Sequence, residues 1–172
     1  ALALAEEADA GVQTGPVALD ELVRDTVLRY LPRADAASVD LGVQGLDQPV
    51  QVAGNVGLIE GILGNLLDNA LRYGRAPAGQ ASTLTVELAR EGDRVRLSVI
   101  DNGPGLTAQE RQHLMQRGVR GPHAERLGQG AGLGLAIVAK FALLMQAQFE
   151  LGDAPGGHGL CASVLFQARP AA

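Results

Sequence analysis

The sequence predicts an α+β fold, a two-layer α/β sandwich in which helices cover one face of a mixed sheet. The first observation is the order of patterns along the chain: helix, two strands, helix, two strands, an irregular segment, helix and two strands. Such an order favours helices packed against a sheet. The second observation is composition, because 47% of the 172 residues are hydrophobic but only 3% are aromatic. The core is therefore expected to be aliphatic.

The first half of the chain is predicted to contain two helices and two strands. Apolar residues recur at intervals of three and four over 17–32, and the first helix is expected to end at Pro32. Two short strand patterns follow at 38–43 and 49–53. A second helix is expected over 55–73, and its apolar stripe consists of Ile59, Ile62, Leu63, Leu66 and Ala70.

The second half is predicted to contain a third helix, at 132–147, and four strands. A hairpin signal at 91–93 joins the first two of these strands. The segment 102–130 is long, glycine-rich and irregular. Segments of that size inside compact domains are usually functional lids or disordered, and we expect a lid here. The four strand patterns cover 83–89, 95–101, 148–152 and 160–168.

Composition and charge argue against several classes of protein. Fourteen basic and nineteen acidic residues give a net charge of −5, which disfavours a general surface for nucleic acid or anionic lipid. No apolar run reaches the length of a membrane span, about 18 residues. The single cysteine, Cys161, cannot form an internal disulfide, and its apolar neighbours predict a buried, inert thiol.

Polar side chains lie on one wedge of the second predicted helix, directly beside its apolar stripe. At about 100° per residue, this wedge contains Asn65, Asn69, Arg72 and Tyr73. Amide oxygens suit a hard cation such as Mg²⁺, a guanidinium suits phosphate, and an aromatic ring can cover a base. The alternative interpretation is an ordinary solvated helix edge.

A second candidate site follows the strand pattern at 95–101. Asp101 ends this strand, and its carboxylate could accept a hydrogen bond from the exocyclic amine of adenine. Gly103 and Gly105 follow at once, and glycines allow a ligand to approach the backbone closely. The alternative interpretation is an ordinary Asp-Asn-Gly turn.

A third candidate site is a glycine repeat that leads into the third predicted helix. Gly130, Gly132 and Gly134 are spaced by two residues. Exposed backbone N–H groups at a helix N-terminus favour phosphate, as does the helix dipole. The repeat matches a Rossmann fingerprint poorly, and the sequence contains no Walker-type loop.

In this order and spacing, the segments NLLDNALRYG (65–74), DNGPGL (101–106) and GAGLGLAIV (130–138) resemble the ATP-binding catalytic domain of bacterial sensor histidine kinases. That family belongs to the GHKL superfamily of ATPases and kinases. The resemblance implies a sandwich of the GHKL (Bergerat) type, in which ATP lies between helices and a flexible lid. It also implies ATP and Mg²⁺ as cofactors.

The resemblance implies roles for individual residues. Asn69 is implied as the Mg²⁺ ligand, with Asn65 nearby, and Asp101 as the acceptor for the adenine amine. Arg120 belongs to a lid segment, 115–120, that lacks the two phenylalanines usual in the family. The residues implied in nucleotide binding are Asn69, Tyr73, Asp101, Gly103, Gly105, Gly130, Gly132, Leu133 and Gly134. Those implied in phosphoryl transfer are Asn65, Arg72 and Arg120.

Asn65 bears on the choice between kinase and hydrolase. Four residues before the metal-binding asparagine, the hydrolysing members of the superfamily carry a glutamate that activates water. An amide cannot accept that proton near neutral pH, so the sequence favours transfer to a histidine. Two alternatives stay open: an ATPase of the wider superfamily, and a nucleotide-sensing binding module without phosphotransfer.

The phosphate-accepting histidine is expected outside this chain, because His113, His123 and His158 lie in predicted loops. Residues 1–12 are expected to end an upstream dimerisation and phosphoacceptor domain, and residues 13–172 to form the ATP-binding domain. The chain alone should bind ATP without phosphorylating itself. The resemblance implies a homodimeric parent in the bacterial inner membrane, with this domain in the cytoplasm, and a response regulator as partner.

Overall fold

The computed structural model describes residues 12–116 and 131–170. The helices are α1 (Leu19–Ala36), α2 (Val56–Tyr73), α3 (Ala108–Gln116) and α4 (Ala131–Leu144). The strands are β1 (Gly15–Ala18), β2 (Val39–Gln44), β3 (Gln51–Gly54), β4 (Ser82–Glu91), β5 (Arg94–Asp101), β6 (Gln148–Asp153) and β7 (Leu160–Arg169). The strands form one mixed sheet, and the predicted α+β class is confirmed.

The sheet has the strand order β1-β3-β7-β5-β4-β2, with β6 also paired to β7. The β2–β4 pair is parallel and the other pairs are antiparallel. Strand β5 is therefore internal, and Leu84 of β4 pairs with its last residue, Asp101. This position brings the carboxyl group of Asp101 to the end of a strand that is flanked on both sides.

The core is aliphatic, as composition predicts. Strand β4 buries alternate residues on the face that meets the helices, and the predicted stripe of α2 is buried throughout. Phe149 and Phe166 are the aromatic members of the core among the described residues. Within the same part of the chain, no helix combines the length and apolar character needed to cross a bilayer.

Helix α1 differs from the prediction at both ends. Gly15–Ala18 forms an edge strand paired with β3, so the helix begins two residues later than expected. At the other end the helix continues through Pro32, although proline removes one intrahelical hydrogen bond. Tertiary packing stabilises the last turn, because Ala34 is fully buried. Arg33 of the same turn forms an exposed ion pair with Asp68 of α2.

Part of the segment predicted to be irregular is helical. Thr107 and Glu110 form reciprocal hydrogen bonds at the start of α3: the Glu110 N–H donates to Thr107 Oγ1 at 3.1 Å, and the Thr107 N–H donates to Glu110 Oε1 at 3.3 Å. This is a capping box, which satisfies backbone donors that the first helical turn leaves unpaired. Residues 117–130 of the predicted lid lie outside the described residues.

Two smaller predictions are wrong. Cys161 is partly exposed, because the alternation of β7 turns Ala162 into the core and Cys161 to the opposite face. His113 lies in α3 and not in a loop. His158 is exposed in the turn between β6 and β7, as expected, and His123 lies outside the described residues.

Candidate functional site

Helix α2 presents its polar wedge to a cavity of about 150 Å³. The helix begins after Asn55, whose side chain accepts from the Leu58 N–H at 3.0 Å, and it ends at Gly74, whose N–H donates to the Ala70 carbonyl. The buried stripe fixes the rotation of the helix about its axis. As a result, the structure brings together the residues that line the cavity: Asn65, Asp68, Asn69, Arg72, Tyr73, Gly134 and Ile137.

Asn69 carries an unsatisfied acceptor in this cavity. Its Oδ1 is buried and has no hydrogen-bond partner within the described part of the chain. Buried side-chain oxygens are nearly always partnered, so this atom points to a ligand. An amide oxygen is the hard donor that Mg²⁺ accepts, and Mg²⁺ commonly keeps several waters and substrate phosphates as its other ligands. The residues present therefore fit a magnesium ion.

Asn65 contributes packing and carries no titratable group. Its Nδ2 donates to the Gly61 carbonyl at 2.6 Å, one turn earlier in α2. A Cβ atom added at Gly134 would lie 3.5 Å from Asn65 Oδ1, so the start of α4 packs closely against this side chain. Asn65 thus joins the two helices that border the cavity.

Arg72 and Asp68 both line the cavity but have different environments. Arg72 is exposed and forms no hydrogen bond or ion pair with the described residues. Asp68 Oδ1 is engaged by α1, because it lies 2.6 Å from Arg33 Nη1 and accepts from Tyr30 Oη at 3.2 Å. Sequence reasoning missed Asp68, although its spacing of three and four residues from Asn65 and Arg72 places it on the same face.

Asp101 lies at the end of β5 and only 7% of its surface is exposed. Its Oδ1 accepts from the Gly103 N–H at 2.9 Å and from the Leu160 N–H at 3.1 Å. Burial raises the pKa of the carboxyl group above its usual value, and the two backbone hydrogen bonds oppose that rise. Its Oδ2 faces Gly74, the residue after Tyr73, so Asp101 adjoins the cavity of α2.

Four glycines pack backbone against backbone around Asp101. A Cβ atom on Gly74 would overlap the Asp101 carboxyl group, and one on Gly103 would lie 2.5 Å from the Gly74 carbonyl carbon. Gly105 and Gly159 have φ of +70° and +111°, a region that favours glycine, and a Cβ on Gly105 would lie 2.9 Å from the Gly159 carbonyl oxygen. Gly103 and Gly105 were predicted here, whereas Gly74 and Gly159 were missed.

Asn102 fixes the turn that follows β5. Its Oδ1 accepts from the Thr83 N–H and its Nδ2 donates to the Ala81 carbonyl, both at 2.8 Å. The turn is thereby tied to the start of β4 by two hydrogen bonds. The Asp-Asn-Gly segment is a turn, as the alternative interpretation holds, and it also orients the buried carboxyl group of Asp101.

The remaining predicted residues lie in the first turn of α4 or precede it in the sequence. Gly132 and Leu133 belong to its first turn, and Gly134 borders the cavity. The glycine repeat therefore enters the N-terminus of a helix, as predicted. Gly130 and Arg120 lie outside the described residues, so their roles stay predictions.

Residues 54–170 match the family model described as histidine kinase-, DNA gyrase B-, and HSP90-like ATPase. The matched range includes α2, the Asp101 turn and α4. Among curated proteins, the sensor protein kinase PmrB of Pseudomonas aeruginosa is 34% identical over 148 residues, which is 86% of this chain. The chain spans only 30% of the length of PmrB.

Solved structures agree with the family match. The mycobacterial sensor histidine kinase MprB is 26% identical, with a TM-score of 0.72, and the match covers 92% of this chain and 100% of that one. Full-length ShkA, solved in complex with AMPPNP, is 26% identical with a TM-score of 0.73, over 93% of this chain and 32% of that one.

Proposed function

Because this chain belongs to the histidine kinase-, DNA gyrase B- and HSP90-like ATPase family, we propose that it binds Mg-ATP in the cavity of α2 as the catalytic domain of a two-component sensor histidine kinase. The observation that carries the proposal is the buried Oδ1 of Asn69, which has no hydrogen-bond partner among the described residues. Relatives such as PmrB, which is named a sensor protein kinase, support the kinase assignment.

The proposed reaction is phosphoryl transfer to a histidine in an upstream domain of the parent protein. The imidazole nitrogen forms a bond to the γ-phosphorus while the bond to the β,γ-bridging oxygen breaks, and ADP leaves with that electron pair. The imidazole proton passes to an acidic neighbour of the histidine. A response regulator aspartate then takes the phosphoryl group.

The residues of this chain position the nucleotide. Asn69 would hold the metal through its buried Oδ1, Arg72 would meet the phosphates with its exposed guanidinium, and Asp101 would accept a hydrogen bond from the adenine amine. A bound Mg²⁺ would neutralise part of the negative charge of the phosphates. Phosphoryl transfer depends mostly on positioning and charge stabilisation, which these groups provide.

The polar groups of the cavity favour transfer over hydrolysis. Asn65 occupies the position from which a base would activate water, and its amide is bonded to Gly61. Asp68, which also lines the cavity, has its Oδ1 engaged by Arg33 and Tyr30. The amide of Asn65 offers no general base toward water in the cavity.

The proposal extends to the parent protein. Residues 1–12 would end the upstream dimerisation and histidine domain, 13–172 would form the catalytic domain, and Tyr73, Gly134 and the lid residue Arg120 would contact the nucleotide. The parent would be a homodimer in the bacterial inner membrane, with this domain in the cytoplasm.

The test is calorimetric titration of the wild type and of Asn69→Ala with ATP. Each titration is carried out once in the presence of Mg²⁺ and once in EDTA without the metal. We expect Mg²⁺ to strengthen binding to the wild type, and Asn69→Ala to lose most of that gain. Glu60→Ala, on an exposed position of the same helix, is the matched control and should behave like the wild type. Metal dependence that survives in Asn69→Ala would exclude Asn69 as the ligand.

A second experiment tests the reaction itself. The chain is mixed with Mg-ATP and the separately produced histidine domain of its parent, and acid-labile phosphohistidine is measured together with released phosphate. The kinase proposal requires label on the histidine domain. Steady phosphate release by the chain alone would favour an ATPase, and tight ATP binding without label or release would favour a binding module.

A further inference from the structure

Arg72 does not form the ion pair that its own helix offers. Asp68 precedes it by four residues in α2, and an acidic residue at that distance before an arginine is the favourable orientation for an intrahelical pair. Both side chains line the same cavity. Nevertheless Arg72 forms no ion pair with the described residues, and Oδ1 of Asp68 is engaged from another element.

The competing partners belong to α1. Arg33 Nη1 lies 2.6 Å from Asp68 Oδ1, and Tyr30 Oη shares its single proton between the same oxygen, at 3.2 Å, and the Gly64 carbonyl. The Arg33 guanidinium lies over the Tyr30 ring, 4.9 Å from its centroid, which is the geometry of a cation–π contact. Tyr30 is itself tied to α2 through the Gly64 carbonyl at 3.3 Å. Two side chains of α1 therefore hold one carboxylate of α2.

We propose that Arg33 and Tyr30 are positioning residues for the nucleotide: by engaging Asp68 they leave the guanidinium of Arg72 available to the phosphates. This inference rests on the proposed function. Without Arg33, the nearest cation for Asp68 is Arg72, one turn along the same helix. Arg72 would then be drawn away from the phosphates, and an uncompensated carboxylate would face them across the cavity. Both effects weaken nucleotide binding.

The Arg33–Asp68 pair is open to solvent, with 53% and 44% of the two side chains exposed. Exposed ion pairs contribute little to folding stability and are screened by salt. Loss of the pair is therefore expected to leave the fold intact while it changes the charge presented to the cavity. Because the effect on the charge of the cavity is separate from the effect on folding stability, single substitutions can test the proposal.

The experiment is calorimetry with Mg-ATP on Arg33→Gln, Asp68→Asn and the double variant. We expect Arg33→Gln to weaken binding by about 1.4- to 2.3-fold at low salt, as the energies of intrahelical ion pairs suggest, with less effect at high salt. Asp68→Asn removes the competitor for Arg72, so the double variant should bind at least as tightly as the wild type. A purely structural role for Arg33 would not produce this rescue.

Arg24→Gln is the matched control, because it removes the same charge from the same helix. Arg24 donates to the Leu46 carbonyl and forms no contact with Asp68. Equal binding by Arg33→Gln and Arg24→Gln would overturn the inference, and so would failure of Asp68→Asn to restore binding. Failure of the proposed nucleotide site is distinguishable, because the wild type would then bind no Mg-ATP at all, and failure of the kinase assignment would appear only in the phosphohistidine assay.

Discussion

At the scale of single residues, Asp101 has two oxygens with different surroundings. Oδ1 accepts hydrogen bonds from two backbone N–H groups, whereas Oδ2 faces Gly74, the residue after the cavity-lining Tyr73. The first oxygen orients the carboxyl group, and the second is the one proposed to accept from the nucleotide. A carboxylate held in this way suits a single donor such as an exocyclic amine.

Asp101→Asn is expected to weaken ATP binding by about tenfold or more, because hydrogen bonds to charged groups contribute about 1.5–3 kcal/mol. Calorimetry at neutral pH measures this loss. Asp93→Asn, which removes a carboxylate from the exposed β4–β5 turn, is the control and should bind normally. Unchanged affinity in Asp101→Asn would rule out Asp101 as the adenine acceptor.

The raised pKa of Asp101 adds a dependence on pH. The ionised form is the acceptor, and burial shifts its protonation to a higher pH than that of an ordinary aspartate. ATP affinity of the wild type should therefore fall on acidification, beginning above the usual aspartate range. Titrations over a series of pH values should show this loss in the wild type, whereas Asp101→Asn should follow only the protonation of ATP itself.

The candidate site residues that can be predicted from the sequence are those whose side chains themselves suit the proposed ligand. Asn69 and Asp101 are recognisable from residue type, spacing and local pattern, and both lie where the structure places a candidate site. Gly74 and Gly159 are different. Glycine is needed at these two positions because a Cβ atom would clash with Asp101, which lies far away in the sequence. Such contacts exist only after folding, so no local pattern reports them.

At the scale of secondary-structure elements, α2 carries Asn69, the proposed metal ligand, and its start is capped by Asn55. The Asn55 side chain accepts from the Leu58 N–H and donates to the Gln13 carbonyl, both at 3.0 Å. The first bond satisfies a backbone donor of the first turn, and the second ties the helix to the segment before β1.

Asn55→Ala is expected to lower the free energy of unfolding by about 1 kcal/mol, the usual effect of losing an N-cap. Asn55→Ser keeps a capping oxygen but loses the donor to Gln13, so it should retain most of the stability. Urea denaturation followed by circular dichroism measures both variants. Equal losses in the two would show that the bond to Gln13 matters more than the cap.

The elements that sequence reasoning missed are short and weakly patterned. Strand β1 has four residues, Gly-Pro-Val-Ala, and is defined by its pairing with β3, which is a tertiary contact. Helix α3 is largely polar and lacks a clear apolar stripe. Its capping box, Thr107 with Glu110, is a local signal that could have predicted where it begins.

At the scale of the whole molecule, the proposed site is built from segments that only folding brings together. Helix α2 contributes the cavity wall, the end of β5 contributes Asp101, and the start of α4 contributes Gly134. A ligand that contacts all of them binds the folded state alone. Nucleotide binding should therefore be visible as a gain in stability.

Mg-ATP at about one hundred times its dissociation constant should stabilise the domain by about 2.7 kcal/mol. For a chain of this size that corresponds to a rise in Tm of about 5–10 °C. Differential scanning fluorimetry measures the rise, and Asn69→Ala at the same nucleotide concentration should show less of it. No shift in the wild type would contradict the proposed nucleotide site. The same samples should contain no phosphohistidine, because the chain alone is not expected to phosphorylate itself.

The hydrogen bond between Asn55 and Gln13 also has a mechanical consequence. Helix α2 has 18 residues and is therefore about 27 Å long. Its N-cap, Asn55, is hydrogen-bonded to Gln13, and the neighbouring Gly54 of β3 pairs with Gly15. A force applied to the polypeptide before β1 would therefore act first on the start of the helix whose far end carries Asn69, the proposed metal ligand.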